Sequence, residues 1–599
     1  MHTIKSGNLM ALIGEDGFVR GDVQGLYFMD TRFIGKIVPH ISKELSFLGV
    51  KEKKTDSISF WFTSKANSNS IDNDLLYVLS YKIKDDVFTV ESEFLNYSPF
   101  DTEFWVSFVI DYTFDDIFEI RGKRLKTKKF NTLSSSKENK TVLRETENAD
   151  YFLKMKGPLH KKIHVSSKAK EKMNISFIPT IAFKRNSVER LIFEGCSTKL
   201  PSIAFPQFGG KVEQLVKRSV EDLKMLLLKT NYGAFPAAGL PWFSTIFGRD
   251  SLIFALQTME IYPEIAHTIL KILAITQAKI EDERADAKPG KIVHEIRVGE
   301  LSLSRKIPFG AYYGSVDATP LFLMVIGEYA KHYGASIFKE LEESINLAAE
   351  FLVQNVSKRG YLTYKSKSKD GLSNQGWKDS GNSIVFKNGR MAEPPIALVE
   401  VQVYLYEAYK TLISFYDDER SQMYLQIAKK LKEHFNEDFW MKNENFFALA
   451  LDGSGEQVNS ITSNPGHCLI SDIIDNDRAK IVAERLMRSD MFTGWGIRTM
   501  SSLMSAYNPI SYHNGTVWPH DNSIVLMGME KQGFFDMARK LSSALLDAAE
   551  YFDWRLPELF GGNDRSDGRI IPYPVACSPQ LWSVGAGFVI SKILRRDQQ

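Results

Sequence analysis

Apolar residues recur with a period of two along the first 205 or so residues of this chain, and with helical spacing from about Gly210 onward. This change of period constrains the fold strongly. A strand sends alternate side chains to one face, whereas a helix sends every third or fourth there. Segments 76–84 (LYVLSYKIK), 87–95 (VFTVESEFL) and 104–114 (FWVSFVIDYTF) alternate and are rich in β-branched and aromatic residues. They predict strands, and strands without intervening helices predict an antiparallel β-sandwich. The polar stretch 134–140 (SSSKENK) predicts a hairpin loop. Beyond Gly210, helical spacing predicts helices over 212–228, 250–260, 265–281, 317–333, 338–355, 396–415, 419–435, 478–486, 523–530, 534–551 and 581–594. About a dozen helices in pairs suit an (α/α)6 toroid. A generic helical array has the same pattern, and no internal repeat decides between them. The expected organisation is a β-sandwich over 1–205 and a helical domain over 206–599.

Composition narrows the function classes. Apolar content of 44% and charged content of 25% describe an ordinary globular protein. A net charge of +2 gives no electrostatic argument for nucleic acid or an anionic membrane. The basic stretch 123–129 (KRLKTKK) reads as a solvated loop. Three cysteines, Cys196, Cys468 and Cys577, form no CxxC pair and predict neither a disulfide framework nor a structural zinc site. The first residues lack the apolar core of a signal peptide, and no run of 18 apolar residues occurs. The expectation is a cytoplasmic enzyme. Its oligomeric state is left open by the sequence.

Two short motifs carry isolated acids beside apolar or aromatic residues and glycines: GWKDSG at 376–381, with Asp379, and LPELFGG at 556–562, with Glu558. An apolar wall raises a carboxyl pKa by desolvation. Glycosidic hydrolysis needs one protonated and one ionised carboxyl group facing each other across the sugar. Taken singly, Asp379 reads equally well as a turn residue and Glu558 as a helix-start acid.

Four further loops hold candidate binding residues, as loops on a rigid scaffold often do. In GLPWFSTIFGRD (239–250), Trp242, Arg249 and Asp250 could hold a sugar ring and its hydroxyls, or Asp250 could cap a helix. In KIVHEIRVGE (291–300), His294 and Glu295 are candidates against a plain surface loop. In YYGSVDAT (312–319), Asp317 is a hydroxyl ligand or a cap, with Tyr313 beside it. In YHNGTVWPHDN (512–522), Trp518 would stack on a sugar face while His513, Asn514 and His520 supply hydrogen bonds. Trp377 stands beside Asp379. His513, His520 and Asp521 lack the spacing of zinc-binding segments, so no metal is expected. The chain has no phosphate-loop, strand-associated GxGxxG or GxSxG motif. No cofactor is expected.

FSTIFGRDSLI (243–253), YHNGTVWPHDN and RLPELFGG (555–562) resemble the motifs of glycogen-debranching, amylo-α-1,6-glucosidase-like glycoside hydrolases. GLYFMDTRFIGKI (25–37) resembles the opening of the β-domain found in the bacterial and archaeal branch of that group. The resemblance spans nearly the whole chain, with its motifs in matching order. It implies an N-terminal β-sandwich, a C-terminal (α/α)6 barrel and hydrolysis with inversion. By position it implies that Asp379 is the general acid and Glu558 the general base, with Arg249, Asp250, Asp317 and Trp518 lining the sugar pocket. His520-Asp521 stands where the debranching enzymes would carry an apolar residue, and the transferase domain of the eukaryotic enzymes has no counterpart. Both departures weigh against glycogen itself as substrate.

The expected activity is exo cleavage of α-glucosidic bonds in α-glucans or oligosaccharides, with carbohydrate as the partner. One rival is another (α/α)6 enzyme, acting on a small glycoside, a trehalose-like disaccharide or a rhamnoside. Another is a polysaccharide lyase using Tyr313, His294, Arg297 or His513. A non-catalytic sugar-binding toroid is a rival from a different class.

Overall fold

The computed structural model describes residues 1–51, 53–66, 72–122, 128–196, 198–203, 207 and 209–595. Most of the basic stretch 123–129, and the expected boundary at 205/206, lie outside the described residues. The chain divides into two compact units. One is Met1–Pro201 with Leu227–Ala234 and Arg297–Ile307; the other is Ser202–Leu226, Phe235–Ile296 and Pro308–Gln599.

The first unit holds a seven-stranded and an eight-stranded sheet, antiparallel throughout the pairings described. Leu75–Lys84 and Val87–Asn96 alternate buried and more accessible side chains as their sequences require. Inward aromatics of the two sheets meet: Phe94 packs edge-on against Phe104 at 4.9 Å, and Phe33 on Thr31–Ile41 lies 6.2 Å from Tyr151 on Ala149–Lys156. The strand expected over 104–114 runs from Thr102 to Asp116, with register shifts around Tyr112. The polar stretch 134–140 turns between strands Asn131–Ser135 and Asn139–Glu145.

The returning segment Arg297–Ile307 is tied into this unit by charge. Arg297 donates to the Asp30 carboxylate at 2.9 Å, and the Val298 amide donates to its other oxygen at 2.8 Å. Both ionic side chains are buried.

The second unit is an (α/α)6 barrel. Its barrel helices, apart from the short Ser336–Glu340, are α1 (Gly210–Leu226), α2 (Gly248–Thr258), α3 (Pro263–Ile275), α4 (Ala318–Tyr333), α5 (Glu342–Gln354), α6 (Val399–Phe415), α7 (Glu419–Asp438), α8 (Asn476–Leu486), α9 (Pro519–Lys531), α10 (Phe535–Tyr551) and α11 (Leu581–Arg595). A 3-10 segment, Asn464–Ile470, takes the twelfth place. The inner ring closes as α2–α4–α6–Asn464–Ile470–α9–α11 and back to α2. Outside it lie α3 on α2, α5 on α4, α7 on α6, α8 on the 3-10 segment, α10 on α9 and α1 on α11. The inner helices are buried almost all round: in α2 only Leu256 escapes burial. The outer helices are amphipathic and keep one wet face.

Local chemistry explains where the sequence pattern and the helices part. Position 276 is where the helix expected over 265–281 stops. There Thr276 turns its hydroxyl onto the Leu273 carbonyl, and Ala278 pairs with Lys291 instead of continuing the helix. The expected 338–355 helix is two pieces, Ser336–Glu340 and Glu342–Gln354, meeting at Leu341. Helix α9 begins at Pro519, a residue suited to a first helical turn, rather than at 523. The 3-10 segment was not anticipated: seven residues opening Asn-Pro-Gly carry no helical period.

The inner elements share a direction, so their first turns gather at one end. Arg249 of α2 meets Asp317 at the start of α4. Asn464 meets Glu400 of α6, His520 of α9 stacks on Trp582 of α11, and Gln580 just before α11 reaches Asp250 of α2. Helix N-termini carry partial positive charge and favour carboxylates, and the isolated acids collect at this end.

Candidate active site

Asp379 lies on the long loop between α5 and α6, and that loop is pinned on both sides of it. Lys378, buried, donates to the Thr499 carbonyl at 2.7 Å. Asn374 donates to the Ser380 carbonyl at 2.8 Å, and the Ser383 hydroxyl closes onto the Lys378 carbonyl at 2.5 Å. The Asp379 carboxylate accepts from Arg249 at 3.0 Å. It is the most accessible group of this cluster, 27% exposed against 3% for Arg249 and 1% for Asp317.

Arg249 is a shared cation. One of its terminal nitrogens serves both oxygens of Asp317, at 3.1 and 3.3 Å, and the other serves Asp379. Ser315 steadies Asp317 through a hydroxyl bond of 2.5 Å. Asp317 sits at the N-cap position of α4 but makes no capping bond, and Asp250 is inside α2, whose N-cap is Phe247. Neither acid is there to cap its helix.

Three carboxyl groups against one guanidinium cannot all ionise cheaply in a buried cluster. Burial raises Asp379 to about 6, with Asp317 and Glu295 adding to the rise and Arg249 opposing it. Burial likewise raises Asp250 to about 7, and the charges of both Asp379 and Glu558 contribute. Asp250 therefore lies within electrostatic reach of both isolated acids.

Glu558, 2% exposed, lies between α10 and α11. Its carboxylate accepts from the Tyr512 hydroxyl at 2.5 Å and from the Cys577 amide at 2.9 Å, while its own amide donates to the Cys577 carbonyl. The residue after Tyr512, His513, grips the other acid loop: its Nδ1 lies 2.8 Å from the Ser380 hydroxyl and 3.3 Å from the Ser380 amide. Burial pushes the His513 pKa well down, leaving a neutral ring that can accept from that amide. Adjacent residues Tyr512 and His513 thus hold the two acid-bearing loops.

The aromatic residues differ from expectation. Trp518 is 1% exposed, donates from its indole nitrogen to the Tyr512 carbonyl at 2.8 Å, and is stacked by His513. Trp377 is 2% exposed and packed among His467, His513, Trp518 and His520. These indoles form the packed floor of the site and offer no open face to a sugar. His520 is stacked on Trp582 at 3.7 Å and is held neutral by burial. Asn514 donates to the Asn382 carbonyl, a loop-to-loop tie. Trp242, half-buried, keeps an accessible surface.

His294 and Glu295 are not on a surface loop. Glu295 lies in a short three-stranded sheet between Ile246–Phe247 and Ala311–Tyr312, and His294 directly precedes that strand, its carbonyl accepting from the Gly248 amide at the start of α2. Tyr313 donates its hydroxyl to the Thr276 carbonyl at 2.7 Å. Arg297 belongs to the first unit, paired with Asp30. Among the described residues, no group of three His, Cys, Asp or Glu side chains could hold a metal ion, and no helix is long and apolar enough to cross a membrane.

Tyr512, Ser380, Ser315 and Gln580 escaped the sequence reading. Tyr512 had a signal, its place directly before His513. A lone Gln before a helix has none.

Residues 4–155 match the family described as the N-terminal domain of (some) glycogen debranching enzymes. Residues 348–555 match the mannosylglycerate hydrolase MGH1-like glycoside hydrolase domain. No curated protein matches the sequence. Among solved structures, the GH63 mannosylglycerate hydrolase from Thermus thermophilus in complex with Tris and D-glycerate aligns at 15% identity and TM-score 0.49, covering 63% of this chain and 99% of that one. Its glucose complex aligns at 15% identity and TM-score 0.46, with the same coverage. An uncharacterized conserved protein from the same organism aligns at 14% identity and TM-score 0.48, again covering 63% and 99%.

Proposed function

We propose that this glycoside hydrolase, which joins a debranching-enzyme-type N-terminal domain to an MGH1-like catalytic domain, cleaves α-glucosidic bonds from the chain end with inversion. The carrying observation is the pair of acid loops held by Tyr512 and His513, with one carboxyl raised to about 6. Protonated Asp379 gives its proton to the glycosidic oxygen as the bond to the anomeric carbon breaks. Glu558, ionised, takes a proton from the water whose oxygen attacks that carbon from the opposite face. A carboxylate offers about four lone-pair sites; Tyr512 and Cys577 orient this one. Arg249 tunes and positions Asp379. Asp250 and the accessible Trp242 are assigned to the sugar in the pocket.

A second reading, cleavage of a small α-glycoside such as mannosylglycerate, is favoured by the match over 348–555. A lyase is not supported, because the Tyr313 hydroxyl serves the Thr276 carbonyl and Arg297 serves Asp30.

The test is incubation with α-glucans, isomalto-oligosaccharides, α-linked disaccharides and mannosylglycerate, followed by anomer-resolved NMR. The proposal expects β-glucose as the first-formed product from an α-glucoside. First-formed α-glucose or an unsaturated sugar would overturn it, and release of mannose alone would select the second reading.

A further inference from the structure

A cavity of about 420 Å³ opens in the barrel unit behind the segments that lead into Asp317 and Asp379. Its lining includes Lys288, Lys291, Lys365 and Lys367, against a single acid, Asp286. That volume lies in the range of small-molecule sites.

The charges in this cavity do not cancel by contact. Asp286 is saturated by neutral donors: the Tyr312 hydroxyl at 3.0 Å, the Lys367 and Ser368 amides at 2.7 and 3.2 Å, the Ser366 hydroxyl at 3.2 Å and the Gln375 amide group at 3.3 Å. Lys367 turns to Glu281 and Glu283 at 2.8 and 3.3 Å. Lys288 bonds the neutral Asn355 side chain at 2.5 Å, and Lys291 bonds the Asp286 backbone carbonyl at 3.0 Å. Among the described residues, Lys288, Lys291 and Lys365 have no carboxylate within ion-pair distance, although Glu281 acts on Lys288 and Asp286 on Lys291 electrostatically.

Lys291 carries the strongest signal. It is 7% exposed, so its ammonium group is largely removed from water. Only one of its three donors is used in the bonds described above. Asp286 and Asp317 favour its charge electrostatically and Lys288 opposes it, but no carboxylate contacts the buried ammonium, which leaves it costly unless a counter-ion joins it. Burial lowers its pKa to about 8, which still leaves it mainly charged at neutral pH. Lys288, with donors to spare, and the exposed Lys365 line the same space.

We propose that this cavity binds a small organic anion, a phosphate monoester or a carboxylate, through Lys288, Lys291 and Lys365. The site is separate from the pair of catalytic carboxyls yet mechanically close to them. Gln375 lines it four residues before Asp379, and Val316 lines it immediately before Asp317. The Val316 amide donates to the Gln375 carbonyl at 2.8 Å, joining the two strips of wall. An anion held there would stiffen the segment that leads into the acid loop.

Isothermal titration of the full chain at about 150 mM salt, where a surface pairing is screened, tests this. The Asp379→Asn variant prevents turnover, and the titrants are inorganic phosphate, a hexose monophosphate, a short hydroxycarboxylate and the neutral hexose. The expected result is saturable 1:1 binding of at least one anion, with affinity about tenfold or more lower in Lys365→Ala and in Lys291→Met, as loss of a charged hydrogen bond implies. Lys365 is exposed and has no carboxylate partner among the described residues, so its removal leaves folding intact. Absence of binding by every anion overturns the proposal. So does anion binding unchanged in both lysine variants. Phosphate and carboxylate titrants differ in which source they identify. The result does not depend on what the enzyme hydrolyses.

Discussion

Replacing Asp379 by Asn should make the protein more stable while removing its activity. The carboxyl is raised from 3.8 to about 6, chiefly by burial and net of the Arg249 attraction. Between those values the native state binds more protons than the unfolded chain, so this group's contribution to stability falls as pH rises through about 6. At 1.36 kcal/mol for each tenfold change in proton affinity, the ionised carboxylate costs about 3 kcal/mol at pH 7. That is an upper figure, since the side chain is 27% exposed and partly screened by water. An amide of the same shape does not carry this charge. With an unfolding entropy of about 2.1 cal/mol/K per residue over ~390 residues, about 3 kcal/mol corresponds to about 4 °C in Tm. Thermal unfolding of wild type and Asp379→Asn at pH 7 and pH 5 measures it. The variant should melt higher at pH 7, by up to about 4 °C, and the gap should shrink to roughly half at pH 5. Hydrolysis should fall about 10²–10⁴-fold. A variant that melts lower than wild type at pH 7, or a gap that does not narrow at pH 5, refutes the reasoning.

Other outcomes follow from the same geometry. In wild type, kcat/KM should decline as pH rises through about 6, because the acid must carry its proton; a flat profile from pH 5 to 8 would remove Asp379 from that role. Glu558→Gln should lower turnover by about 10²–10⁴-fold while circular dichroism stays native, and near-normal turnover in the folded variant would displace it as base. Arg249→Met leaves Asp317 and Asp379 without their cation and should destabilise the fold by about 3–5 kcal/mol in denaturant titration. His513→Ala unties Ser380 and should reduce kcat with little change in KM; a rise in KM alone would place His513 on the substrate instead.

The two architectures were legible because burial imposes its period on the sequence directly: Leu75–Lys84 alternates, and α10 shows a stripe. The inner helices were harder to delimit. An element buried all round, such as α2, has little stripe to read, and the 3-10 segment from Asn464 is too short to establish a period. Among site residues, Asp379, Glu558, Arg249, Asp250 and Asp317 stood out as charges in apolar loops, and the structure gathers them at one end of the barrel. Trp377 and Trp518 misled because an indole in a glycine-rich loop reads alike whether it faces ligand or forms a floor. Only its accessibility separates the two. Tyr512 and Gln580 act through partners 46 and 330 residues away, and no local pattern encodes such a pairing.

The return of Arg297–Ile307 to the β unit has a consequence for synthesis. Asp30 is placed early in the chain, but its counter-ion follows only after Phe235–Ile296, a stretch of the barrel unit, has been made. A ribosome that has released only the first 201 residues has produced a sandwich whose Asp30 carboxylate still lacks its Arg297 and Val298 donors. The β unit therefore ripens late, when the barrel is already under construction. A gene fragment ending at Pro201 lacks both Leu227–Ala234 and Arg297–Ile307 and should yield a domain that is marginal alone.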